Sequence, residues 1–246
     1  MNVVSAVILG IVQGLTEFLP VSSSGHLVLA EALLPKIPES GVVFEVFLHF
    51  GTMISVLVYF RARIVTMLKD NVIFLVIGTI PAGLVGVLFS DGIEKLFGST
   101  TIVGVMLIVT GVINYLTDKT DNSDKPNSPR ASFLVGIAQS IAIIPGISRS
   151  GSTIFASSKC GMSRKNAAEF SFLLSIPAIL GANAVQILKY GVSVGGEYGV
   201  YVAGVLSASF AGYVAIGVLL KALQTKNYRY FGYYCIALGV VSLILI

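Results

Sequence analysis

The chain has 246 residues, of which 55% are hydrophobic and only 11% charged, with net charge +4 and mean hydropathy +0.89. Soluble domains carry about 25% charged residues. The composition therefore excludes a water-soluble globular protein and predicts an all-α polytopic membrane protein, one integral membrane domain over residues 1–246 whose immediate partner is the lipid bilayer. No nucleic-acid partner is expected. Cys160 and Cys235 stand far apart with neither metal nor redox spacing.

In chain order, residues 3–19 are apolar, stop at Pro20-Val21-Ser22-Ser23-Ser24-Gly25, and resume over 26–34. Each flank is too short to span a bilayer, and proline followed by serines and glycine ends a helix. The pattern predicts a re-entrant hairpin, whose polar tip survives at depth only where it lines a cavity or is buried in protein. Residues 42–60, 72–89 and 101–116 then predict three crossings. A polar linker, 118–130, follows, with Asp118, Asp121, Asp124 and two prolines. The broken pattern returns at 132–144, stops at Pro145-Gly146, and resumes near 152–158. Three more crossings are predicted at 169–188, 201–220 and 231–246. At about 16–20 residues each, the crossings reach ~24–30 Å as helix, enough for a hydrocarbon core of about 30 Å.

The two broken segments match. Gly10 and Gln13 correspond to Gly136 and Gln139, and Ser22 to Gly25 corresponds to Ser148 to Gly151, all 126 positions apart. Gly78 falls on Gly204 at the same offset, and Glu45 lies near Glu169. The expected organisation is two copies of one unit, about 1–117 and 131–246, each a hairpin plus three crossings. Three crossings per copy is odd, so the second copy is inverted. With the N-terminus on one side, Lys36, Lys95 and Lys189 share that side. Twelve other Lys and Arg residues, among them Arg61, Arg63, Arg164 and Arg229, fall on the opposite one, Arg149 being set aside. The positive-inside rule then puts both termini outside, and the two polar tips meet near the midplane.

Those tips carry the chemistry. Arg149 sits among Ser148, Ser150, Gly151 and Thr153, in sequence otherwise fit for lipid. A guanidinium at membrane depth costs about 2.5–3.5 kcal/mol on insertion scales. It is tolerated where an anion or a wet cavity compensates it, and glycines and serines let backbone N–H groups turn toward one point. Gln13 and Glu17, four apart, share a helix face ending at Ser22, Ser23, Ser24, Gly25 and His26. A structural Glu17–Arg149 pair is one reading. It leaves the converging hydroxyls and the imidazole unused, so the fuller reading is a buried phosphate site with His26 or Ser23 as nucleophile. Glu45 and His49 form another i,i+4 pair and are secondary candidates, with interfacial polarity as the plainer account. Glu169 is expected to be solvated near the inner surface, and Tyr228, Tyr230, Tyr233 and Tyr234 to form an interfacial aromatic anchor.

The run from Gln13 through Glu17 to Pro20-Val21-Ser22-Ser23-Ser24-Gly25-His26 resembles the (E/Q)xxxE and PVSS(S/T)GH signature of undecaprenyl-diphosphate phosphatases of the BacA/UppP type. Pro145 to Thr153 resembles that family's second signature, PGxSRSxxT. The resemblance implies hydrolysis of a polyprenyl diphosphate to the monophosphate and inorganic phosphate at the plasma membrane. This recycles the lipid carrier of cell-wall synthesis and confers bacitracin resistance. It assigns catalysis to Glu17, Ser23, His26 and Arg149. Phosphate binding goes to Arg149, Ser148, Ser150, Thr153 and the first loop's Ser22, Ser24, Gly25, with Gly151. A divalent cation, Mg²⁺ or Ca²⁺, is expected at Glu17 with Gln13 nearby, although many members carry Glu where this chain has Gln13. The site is expected to open to the outer face. A homodimer stays open. So does a second function, because inverted repeats with broken helices are also transporter architecture: a polyprenyl-phosphate flippase using the same site.

Overall fold

The computed structural model describes residues 1–33, 41–120, 123–191, 198–225 and 227–245. Lys36, Asp121, Lys226 and the ends of the 26–34 and 231–246 segments lie outside the described residues. Among those described there is no strand. Eleven helices follow in order: α1 Val3–Phe18, α2 Ser23–Leu33, α3 Gly41–Tyr59, α4 Ile64–Leu88, α5 Ser90–Phe97, α6 Thr100–Thr117, α7 Pro129–Ile141, α8 Arg149–Lys159, α9 Arg164–Tyr190, α10 Tyr198–Gln224 and α11 Arg229–Leu245. Four of them, α4, α6, α9 and α10, are long and apolar enough to cross a membrane, and α1, α3 and α11 are shorter apolar helices.

Helix ends follow local chemistry. Asn2, Ser99, Ser128, Ser148 and Ser163 each cap a helix through the side-chain oxygen. α1 stops because Leu19, next to Pro20, is forced into extended backbone (φ −63°, ψ 143°). α5 was not anticipated. Its eight residues fall below a membrane-spanning window and carry Asp91, Glu94 and Lys95 among apolar neighbours. It is tied to α9 by Lys189, whose ammonium donates to Asp91 at 2.8 Å and Glu94 at 3.0 Å.

The interior is built on close backbone approach, as expected where lipid removes the hydrophobic drive between helices. α1 lies on α10 so tightly that a Cβ at Gly10 would come within 2.6 Å of the Gly204 carbonyl. α7 lies on α4 in the same way, a Cβ at Gly136 falling 2.7 Å from the Gly78 carbonyl. α6 and α11 meet through Gly104, Gly111, Gly232 and Gly239. Between these pairs Phe18, Phe60 and Phe172 form an aromatic cluster, the Phe18 and Phe172 rings edge to face at 5.6 Å. The exposed face of α4, with Val72, Ile73, Val76, Ile80, Leu84 and Val87, is apolar, the reverse of a soluble protein.

Two expectations are corrected. Glu169 is buried and accepts from Arg63 at 2.6 Å instead of facing solvent. Tyr228 is fully buried against Phe231 and belongs to the core, while Tyr230, Tyr233 and Tyr234 are exposed.

Candidate active site

Two short loops, 19–22 between α1 and α2 and 142–148 between α7 and α8, come into contact. A Cβ at Gly25 would lie 3.2 Å from the Gly146 Cα. Ser150 Oγ donates to the Leu19 carbonyl at 3.1 Å. Both turns use unusual backbone. Gly146 has φ +93°, open to glycine at little cost. Ser22 has φ 70°, which costs a serine about 1–2 kcal/mol.

α6 holds both loops. Thr110 Oγ1 donates to the Gly146 carbonyl at 2.8 Å and accepts from Ser148 N at 2.9 Å. One turn on, the Asn114 side-chain amide donates to the Pro20 carbonyl. Neither residue was singled out in the sequence. The available signal was a polar i,i+4 pair inside an otherwise apolar crossing.

At the junction, Arg149 Nη2 donates to Glu17 Oε1. The other oxygen, Glu17 Oε2, accepts from Ser23 Oγ at 2.8 Å and from Gln13 Nε2 at 3.0 Å. Arg149 is the first residue of α8, capped by Ser148, so its positive charge stands beside the positive end of the helix dipole. Its other nitrogen, Nη1, donates to the Ser171 carbonyl of α9 at 3.2 Å. Thr153 lies beneath it, fully buried, with its hydroxyl 2.7 Å from Ser171 Oγ. Ser148 Oγ accepts from Gly151 N at 3.1 Å and lies 3.2 Å from Ser150 Oγ. Ser22 Oγ likewise accepts from Gly25 N and lies near Ser24 Oγ, both at 3.3 Å.

The imidazole beside Glu17 is that of His49. Its Nδ1 lies 3.1 Å from Gln13 Nε2 and 3.8 Å from Glu17 Oε2. An amide nitrogen only donates, so Nδ1 accepts there. Glu45 is one helical turn earlier on α3 and half-buried. His26 has other partners: Nδ1 lies 2.7 Å from the Ser22 carbonyl and Nε2 lies 2.7 Å from the Tyr234 hydroxyl. Among the described residues it makes neither hydrogen bond nor ion pair with Glu17 or Arg149.

For a divalent cation the donor set is one carboxylate, Glu17, and one buried acceptor, Gln13 Oε1, without a hydrogen-bond partner among the described residues. That suits an ion sharing most of its coordination with phosphate oxygens and water, as Mg²⁺ does, better than an all-protein cage.

Fold and site together define an integral membrane protein with a hydroxyl–carboxylate pair and a guanidinium at a helix N-terminus, an arrangement fitted to anionic, phosphate-like groups. The chain belongs to the bacitracin resistance protein BacA family, whose model matches residues 6–241. It is 44% identical over 257 residues to an undecaprenyl-diphosphatase of Halothermothrix orenii, covering all of this chain and 98% of that one. With an undecaprenyl-diphosphatase of Methanosphaera stadtmanae the identity is 37% over 274 residues, again covering 100% and 98%. Undecaprenyl-diphosphatase 4 of Bacillus cereus is 38% identical over 254 residues with the same coverage.

Proposed function

We propose that this protein hydrolyses undecaprenyl diphosphate to undecaprenyl monophosphate and inorganic phosphate. The reaction recycles the lipid carrier for cell-wall glycan synthesis and so confers bacitracin resistance. Family membership supports the substrate. The observation that carries the chemistry is Ser23 Oγ at 2.8 Å from a Glu17 oxygen whose carboxylate is also bound by Arg149.

With no substrate, Glu17 and Arg149 neutralise one another. The diphosphate competes for the guanidinium, whose planar fork matches phosphate oxygens. Glu17 then takes the Ser23 proton as Ser23 Oγ attacks the terminal phosphorus. The Ser23 O–P bond forms, the bridging P–O bond breaks, and the lipid monophosphate leaves. Water next attacks the phosphoryl-serine. Glu17 returns its proton to the Ser23 oxygen, and inorganic phosphate departs with both water protons. Positioning and charge stabilisation carry most of phosphoryl transfer, and here they fall to Arg149 and the α8 N-terminus. Glu17 and Gln13 Oε1 would hold a Mg²⁺ or Ca²⁺ ion, which when bound neutralises charge on the phosphates.

This reading takes residues 1–117 and 131–246 as inverted copies. Supporting it, Gly10 meets Gly204 as Gly136 meets Gly78, the same contact with partners exchanged at the 126-residue offset. The charge distribution supports termini outside the plasma membrane and a site opening to the outer face.

Purified protein in detergent should release phosphate from a prenyl diphosphate, and a trapped phospho-enzyme should carry its label on Ser23. Label on His26 would make histidine the nucleophile. Silence in detergent, with lipid movement across sealed vesicles, would replace the hydrolase with a carrier.

A further inference from the structure

We propose that Tyr234 of α11 is a positioning residue for His26, holding that imidazole as a base for the hydrolytic half of the reaction. The inference rests on the hydrolase reading above. A carbonyl oxygen can only accept, so the 2.7 Å contact with Ser22 O puts the proton on His26 Nδ1. The same carbonyl accepts the His26 backbone N–H at 3.2 Å. In a neutral ring the lone pair is then on Nε2, where the Tyr234 hydroxyl donates at 2.7 Å. The two rings lie nearly parallel, 12° apart with centroids at 5.6 Å.

Two features set this contact apart from membrane anchoring. Tyr230 and Tyr233, the neighbouring exposed tyrosines, pack on one another, and Tyr233 also packs on Tyr115. Among the described residues, Tyr234 is the one of the three that contacts His26. Its helix, α11, is also packed through glycines on α6, the helix that holds both loops, so the Tyr234 backbone is placed relative to them. Ser22 keeps its left-handed backbone with its carbonyl on the ring.

His26 is three residues after Ser23 on α2, on the same helix face. When water approaches the phosphoryl-serine it takes the place of the Tyr234 hydroxyl at Nε2. The lone pair accepts one water proton as the water oxygen bonds to phosphorus and the Ser23 O–P bond breaks. Glu17 protonates the Ser23 oxygen, and the imidazolium then passes its proton to the departing phosphate.

Tyr234→Phe keeps the ring and removes the hydroxyl. It should lower kcat about tenfold, part of the 10²–10⁴ that a general base contributes, with KM within twofold. In a His26→Ala background the same change should cost nothing further, because coupled residues are not additive. Tyr233→Phe should leave turnover unchanged. The chain has only two histidines, so ¹⁵N-histidine NMR, assigned with His49→Gln, should show a single Nδ1–H tautomer at His26 that becomes mixed in Tyr234→Phe. Full kcat in Tyr234→Phe or in His26→Ala, or independent losses that multiply, would overturn the proposal. Failure of the wild type to release phosphate would instead defeat the hydrolase reading, while an intact tautomer signal would show that the Tyr234–His26 geometry stands.

Discussion

The two loops at the centre of this protein share a scaffold and differ in chemistry. Ser22 and Ser148 each accept from the glycine N–H three residues on, and each lies beside the serine two residues on. The next residue is Ser23 in one loop and Arg149 in the other. The preceding glutamines diverge as well: Gln13 donates to Glu17, whereas Gln139 donates to the Gly78 carbonyl at 3.3 Å. Hydroxyl and carboxylate come from the helix ends flanking one loop, the cation from the helix start after the other, and neither half alone makes a site. Matching backbone thus tolerates different side chains, because the caps and glycine contacts that shape each loop do not involve the reacting groups.

The largest effect should follow from breaking the contribution of the second loop. Arg149→Ala should cut kcat by at least about 10²–10³, the range for losing one donor to developing charge. It also leaves Glu17 buried without its counter-ion, a loss of about 3–5 kcal/mol. Adding Glu17→Gln should restore much of the thermal stability in detergent while hydrolysis stays absent; recovered turnover would show that the pair is structural. Next comes the first loop. Ser23→Ala should abolish phospho-enzyme trapping and lower turnover by about 10²–10⁴, with the unfolding temperature little changed.

The shared scaffold makes a symmetric prediction. Gly10→Val and Gly136→Val should each destabilise by roughly 1–3 kcal/mol through overpacking against backbone, measured by thermal unfolding. A loss confined to one of them would break the parallel between the loops. Smaller still, Thr110→Val should free the second loop and slow turnover about tenfold through lost positioning, with the first loop's hydrogen exchange unchanged. The smallest effect lies outside the site. Lys189 holds the Asp91 carboxyl below the usual carboxylate range, and Tyr190 with Lys189 does the same for Glu94. A lowered folded pKa gives stability that is present above the ordinary value and lost as pH falls below it. Amide protection in α5, measured against the intrinsic exchange rate, should therefore fall below about pH 4, and Asp91→Asn should mimic part of that loss at neutral pH.

Much of the fold was legible because membrane sequence is simple: apolar runs cross, and Pro20 and Pro145 followed by glycine and serines stop helices short. Glu17 and Arg149 stood out because charges are costly in such runs. Topology brings them together, and in the folded chain they form an ion pair. α5 escaped because an eight-residue amphipathic helix has no membrane-length signal. His49 looked like interfacial polarity because its partner Gln13 is 36 positions away, and Glu169 looked solvated because nothing nearby in sequence announces Arg63.

By itself the sequence determined that this chain lives in a bilayer, where its helices break, and which side chains have no business in lipid. Those properties follow from local composition and backbone preference. Only the tertiary structure decided that Thr110 and Asn114 bind the two loops together, that Ser23 bonds to Glu17, and that His26 is held by Tyr234 while His49 stands beside the carboxylate. Such pairings join residues up to 208 positions apart, and helix packing, rather than any neighbouring residue, sets which of them touch.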